Sequence, residues 1–179
     1  MINLSHNADV LFETVVRKYP DLLDVIRKKK YTVKDTELSY RQLNSLDKSD
    51  LVENSRISEQ NWRKFNLNDL LYLHIVNKMR EFNTNNSQLR PMNELFYRQK
   101  INYVVVGEVL FTEEAIVTML TEYVPIGILI FSDGQVILTD DPAITVKIGS
   151  TDPNRRSCIF ISPVSYTHLC RNWGNTHWI

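Results

Sequence analysis

Apolar residues at the start of the chain recur at helical spacing. Val10, Leu11, Val15 and Val16 are followed by a break at Tyr19-Pro20, and Leu22, Leu23 and Ile26 then mark a second apolar face. The pattern predicts two short helices within residues 9–30. Pro20 stands at the start of the second, and Arg27-Lys28-Lys29-Lys30 stands at the negative end of its dipole, where a solvated helix end and contact with a DNA backbone both fit. Thr32 is placed to cap a very short helix that carries Val33 and Leu38 inward. Ser39 and Gln42 have the S-x-x-Q spacing of a capping box, so a helix is expected from Tyr40. Its apolar positions Leu43 and Leu46 face inward with Leu51 behind them, leaving Tyr40, Arg41, Asn44 and Lys48 to project outward. After a polar stretch at 53–60, the alternation of Trp62 and Phe65 with Arg63 suits the return strand of a small hairpin, a wing. Asn66 is placed to cap a longer helix with Leu67, Leu71, Ile75, Met79 and Phe82 on one face. A polar linker at 83–87 precedes another helix to about Gln99, capped by Asn86 or Ser87, in which Pro91 is tolerable only within the first turn.

The second half has strand chemistry. Runs at 104–106, 126–131, 136–138, 144–148 and 158–161 read as strands, with Asp133-Gly134 as a hairpin turn. Thr112-Glu113-Glu114-Ala115 begins a helix whose Ile116, Met119 and Leu120 are expected to cover the sheet. The fold class expected is α+β, a helical winged helix-turn-helix head followed by a small mixed α/β unit with a mainly antiparallel sheet. Its divisions are a helical extension at 1–30, the head at 31–99, the small α+β unit at 100–163 and an irregular tail at 164–179. In that tail, Val164-Ser165-Tyr166-Thr167-His168-Leu169 resembles an ending that recurs in conceptual translations running into sequencing-adapter DNA. A truncated reading frame and a natural irregular tail both fit.

With 179 residues, 43% of them hydrophobic, the chain can bury a substantial core. No run of about 18 apolar residues occurs, and Asp9 and Glu13 interrupt the amino-terminal stretch where a signal peptide needs clean apolar sequence. The expectation is a cytoplasmic, nucleoid-associated bacterial protein with no membrane partner. Cys158 and Cys170 have no CxxC spacing, and His168, Cys170 and His177 fit no zinc pattern, so neither a metal nor a cofactor is expected. No phosphate-cradling glycine loop or nucleophile elbow is present, and His74 has no catalytic neighbours in sequence. An enzyme is therefore not expected. Glu113 and Glu114 complement a helix dipole, and Asp140-Asp141-Pro142 reads as a turn. The formal net charge is zero, yet residues 1–100 carry 17 Lys or Arg against 13 Asp or Glu, so the excess of cations lies in the half with the recognition pattern.

From residue 31 to about 98 the chain resembles the MerR family of winged helix-turn-helix transcription regulators. Tyr31-Thr32-Val33 is similar to the opening of the family's first helix. Leu38-Ser39-Tyr40-Arg41-Gln42-Leu43 is similar to the turn and recognition helix, and Asp47 with Leu51-Val52 to that helix's exit. Trp62-Arg63-Lys64-Phe65 resembles the wing's return strand, and Asn68-Asp69-Leu70 and Met79-Arg80-Glu81-Phe82 the helix after it. The resemblance implies DNA contact by Arg41 from the recognition helix and a phosphate grip by Arg63 from the wing. The DNA-binding set expected is Ser39, Tyr40, Arg41, Asn44, Lys48, Arg63 and Lys64, with no catalytic or metal-binding residue. Three departures stand out: the first helix is about a turn short, Asp50 replaces a common glycine, and strands begin at Ile101 where the family continues into a long dimerising helix. The partners expected are double-stranded DNA and a second copy of the chain, because one short recognition helix reads few base pairs. The effector is open. A module of the same fold docking on an acidic protein is the alternative.

Overall fold

The computed structural model describes residues 8–52, 63–81, 84–122, 126–131, 136–139 and 155–161. The fold is α+β. Among the described residues six α-helices run in chain order: α1 (Ala8–Lys18), α2 (Leu22–Arg27), α3 (Tyr40–Asp47), α4 (Leu67–Glu81), α5 (Asn86–Tyr97) and α6 (Phe111–Glu122), with a 3-10 turn at Val33–Asp35. The strands are β1 (Lys100–Tyr103), β2 (Gly107–Leu110), β3 (Ile126–Phe131), β4 (Val136–Thr139) and β5 (Arg155–Ile161). β1 and β2 form an antiparallel hairpin, and β4, β3 and β5 form a second antiparallel sheet in that order. No helix among the described residues is long and apolar enough to cross a membrane.

Local signals decide most helix starts. At α3 the Ser39 hydroxyl accepts the Gln42 amide at 3.3 Å, while the Gln42 side chain accepts the Ser39 amide at 2.8 Å. Asn66 and Asp69 exchange the same reciprocal bonds at 2.8 and 2.9 Å, which starts α4. Thr32 and Asp35 do so around the 3-10 turn, with the Thr32 amide 2.7 Å from the Asp35 carboxylate. That turn stands in place of the short first helix. The end of α3 is closed by the Leu51 amide on the Leu46 carbonyl and the Asp50 amide on the Asp47 carbonyl, both 3.0 Å. Asp50 adopts φ 54, the left-handed conformation that such an ending requires. Leu46 and Leu51, both fully buried, meet beneath it.

Three expectations are corrected. Residues 104–106 are the tip of the β1–β2 hairpin and not a strand: the register pairs Tyr103 with Gly107, and Gly107 at φ 72 turns the chain back. β-branched composition favours a strand there, but Tyr103 has to lie beneath Phe12, which leaves Val104 98% exposed at the tip. The cap of α5 is Asn85, with Gln88 as its reciprocal partner. Pro91 lies in the second turn of α5, past the first turn in which a proline is readily tolerated. The helix continues because Leu89, Met92, Leu95 and Phe96 are buried, and that burial outweighs one lost backbone bond. The turn at Asp133-Gly134, the strand at 144–148, Phe82, Asp140-Asp141-Pro142, most of the wing at 53–62 and the tail at 164–179 lie outside the described residues.

α4 runs through the centre. Its Leu70, Leu71, Tyr72, Leu73, Ile75, Val76 and Met79 are all buried, as expected of a helix covered on nearly every side. Tyr72 packs against Phe96 and Tyr97 at ring distances of 5.3 and 5.2 Å, and burial raises its phenol pKa. The buried apolar residues form one continuous cluster from Phe12 to Ile128. Two contacts join the flanks of the head. Phe12 of α1 stacks on Tyr103 of β1 at 4.6 Å, and Arg27 of α2 grips Glu113 of α6 with two bonds of 2.9 and 2.8 Å. Glu113 also accepts the Leu110 amide at 2.9 Å, completing the start of α6. The apolar face of α1 packs on α6 of the same chain and is thereby already occupied.

The strained ending of α3 gives a stability test. Asp50→Gly removes the left-handed penalty of a branched side chain and is expected to stabilise the fold by up to about 1 kcal/mol, while Asp50→Val destabilises it. Thermal unfolding followed by circular dichroism checks both; equal midpoints for all three proteins would contradict the backbone assignment.

Candidate nucleic-acid interface

The outer side of α3 is built by its spacing. Leu43 and Leu46 are fully buried, so Tyr40, Arg41, Asn44 and Lys48 share the exposed face, with Ser39 at the cap. Tyr40 is 49% exposed. Arg41 and Lys48 make no ion pair among the described residues. Arg27, Lys78 and Lys100, by contrast, are paired with Glu113, Glu81 and Glu108. Ser39 is fully engaged in the cap, where its hydroxyl also lies 2.7 Å from the Gln42 side-chain oxygen. Its contribution to the site is the placement and orientation of α3.

Arg63 is placed otherwise than the resemblance implies. Its side chain is buried, and its guanidinium donates to the Asp47 carboxylate and, at 3.1 Å, to the Asn44 side-chain oxygen. Both acceptors belong to α3. A guanidinium drawn out of water needs such fixed acceptors, and a pair with one buried member resists removal of either partner. Arg63 therefore ties the segment before α4 to α3, with its guanidinium turned to these acceptors and away from the phosphate grip expected of it. Asn44 is consequently committed on one side to Arg63. Asp47, read in sequence only as part of the helix exit, is the residue missed. Its signal is the i, i+3 spacing from Asn44, which puts two oxygen acceptors on one edge of the helix.

Lys64 emerges on the other side of the same segment. Phe65 exchanges backbone bonds of 2.9 and 2.8 Å with Tyr31, and these two buried residues face inward. By strand alternation Lys64 faces out, and it is exposed and without an ion pair among the described residues. Arg41, Lys48 and Lys64 thus lie about α3 as cations without an ion pair among the described residues, while Ser39, Asn44 and Arg63 hold the helix in place. A cleft of about 560 Å³ opens beside the end of α3, lined among others by Lys48, Asp50, Asn93, Tyr97 and Arg98. Asn93 closes one wall of it by donating to the Leu51 carbonyl at 3.0 Å.

His74 on α4 lies apart from this face. It is 3.8 Å from Glu37, and burial lowers its pKa despite that carboxylate. Among the described residues, no group of three or more His, Cys, Asp or Glu is arranged to hold a metal ion.

The Arg63 tether yields a direct test. Arg63→Ala is expected to cost about 2–3 kcal/mol, below the full value for a buried pair because Asp47 keeps 28% of its side chain exposed. A double-mutant cycle with Asp47→Ala should return a coupling of about 1 kcal/mol or more. Strictly additive losses in denaturant unfolding would mean that the two groups do not support each other.

No protein-family model, no curated protein and no solved structure matches this chain.

Proposed function

We infer that this chain is a winged helix-turn-helix, MerR-like transcription regulator that reads duplex DNA with the outer face of α3. The observation that carries the reading is a short, doubly capped helix whose exposed face bears Arg41 and Lys48 without partnering acids among the described residues, with Lys64 beside it. Side chains of this kind suit phosphates and base edges, and helix α3 is held by Arg63 at a fixed angle to the segment that carries Lys64. Arg41 and Asn44 are the candidates for base contact. Lys48 and Lys64 supply phosphate contacts.

Phosphate contact releases counterions, so the reading is tested by a salt titration. Binding of a 30-base-pair duplex, followed by fluorescence anisotropy, should weaken steeply with added NaCl. Arg41→Ala and Lys64→Ala should each flatten the slope by about 0.9. Wild-type slopes in both variants would remove this surface as the interface. Eight residues of α3 reach only a few base pairs, so two copies are expected on a palindrome. Selection from random duplexes combined with light scattering tests this second point, and a monomer on a non-repeated site would overturn it.

A further inference from the structure

We propose that Lys28, Lys29 and Lys30 form a cationic arm that grips the phosphate backbone of duplex DNA beside α3. The proposal rests on the DNA-binding reading above and adds residues that reading does not use.

Three observations support it. First, α2 ends at Arg27, and Lys28 leaves the helix in an extended conformation with φ −63 and ψ 116. Lys28 is the C-cap of α2, with its amide on the Asp24 carbonyl at 2.9 Å, and Lys29 and Lys30 lie past the helix on an exposed, non-helical segment. Arg27, the first member of the basic run, turns inward to Glu113 and separates from them. Second, the lysines have no ion-pair partner among the described residues. Only Lys30 has a local contact, 5.1 Å from the ring centre of Tyr31. Asp35, the carboxylate nearest in the following chain, is taken up by the amide and hydroxyl of Thr32 at 2.7 and 3.0 Å.

Third, the backbone bridge joins this run to the candidate interface. Tyr31 pairs antiparallel with Phe65, so Lys30 and Lys64 are diagonal neighbours on the outward side, about 7–8 Å apart at their Cα atoms. Residue 63, next in line, holds Asn44 and Asp47 of α3. The cations thus succeed one another from the exposed face of α3 through Lys64 to Lys30, Lys29 and Lys28. Uncompensated positive charge in a row matches the regular negative charge of a nucleic-acid strand, and flexible lysines on an extended segment grip phosphates without reading bases.

The test uses the full chain and random-sequence 30-base-pair duplex DNA over a NaCl series. The variant with Lys28→Gln, Lys29→Gln and Lys30→Gln together should bind with a slope shallower by about 2–3 units, because each phosphate contact contributes about 0.9. The triple lysine-to-arginine variant should keep the wild-type slope, and preference between sequences should not change in either. If the glutamine variant melts early through loss of the Tyr31 contact, the pair Lys28→Gln with Lys29→Gln keeps Lys30 and should still lose about 1.8 units. An unchanged slope in the glutamine variants, with Arg41→Ala still flattening it, overturns the arm and leaves the α3 reading intact. Absence of salt-dependent duplex binding by the wild-type chain overturns both. Equal affinity for polyglutamate of matched charge, lost in the glutamine variant, overturns the arm as a nucleic-acid grip and assigns it to an acidic protein surface.

Discussion

A buried guanidinium sets the terms for the half of this molecule that holds α3. Arg63 is 5% exposed, so its charge has to be met by acceptors that do not move, and both of those described are on α3. Fixing Arg63 also fixes the residues next to it. Phe65 is brought against Tyr31, the bridge between them holds the approach from α2, and Asn66 arrives in position to cap α4. Leu43, Leu46 and Leu51 are buried in the core that α4 shares. One charged pair and one amide thus join α3 to the segment beside it, with apolar packing behind them.

How much of this could be read from the sequence depends on the range of each interaction. The starts of α3 and α4 were legible because Ser39 with Gln42 and Asn66 with Asp69 are each separated by three residues and complete their bonds locally. The break at Tyr19-Pro20 and the strands at Ile126–Phe131 and Val136–Thr139 were legible for the same reason. Asp50 has the positive φ that a glycine would accept without strain. What failed was long-range. Nothing near Val104 says that Tyr103 must stack under Phe12, and that contact moves three valines from a strand to a turn. The role of Arg63 depends on Asp47, 16 positions earlier, and a basic residue in a polar segment gives no local sign of burial.

Formal neutrality also conceals where charge is available. Asp35, Asp69 and Glu113 each accept backbone amides at helix or turn starts, Asp47 is bound to Arg63, and Glu113 is bound again to Arg27. These carboxylates act as internal acceptors, which satisfies donors that would otherwise be buried unpaired. Lysines at 28–30, 34, 48 and 64 and Arg41 have no such duties. The exterior near α3 is therefore more positive than a count of residues suggests, and its field acts on partners at a distance of about a Debye length, roughly 8 Å at physiological salt.

The clasp between the flanks has a further consequence for how the chain comes into being. Arg27 and Glu113 are 86 residues apart, and Phe12 waits for Tyr103 in the same way. During synthesis α1 emerges long before α6, the helix on which its apolar face packs, whereas α2 finds its cover earlier on α4. The hairpin and α6 close the loop late, at the entropic cost of a long separation, while α3 and its caps form early from neighbours alone. Helix α3 is thus among the first elements able to form and among the last to be locked in place, and a chain released before Glu113 would carry α3 without the full core.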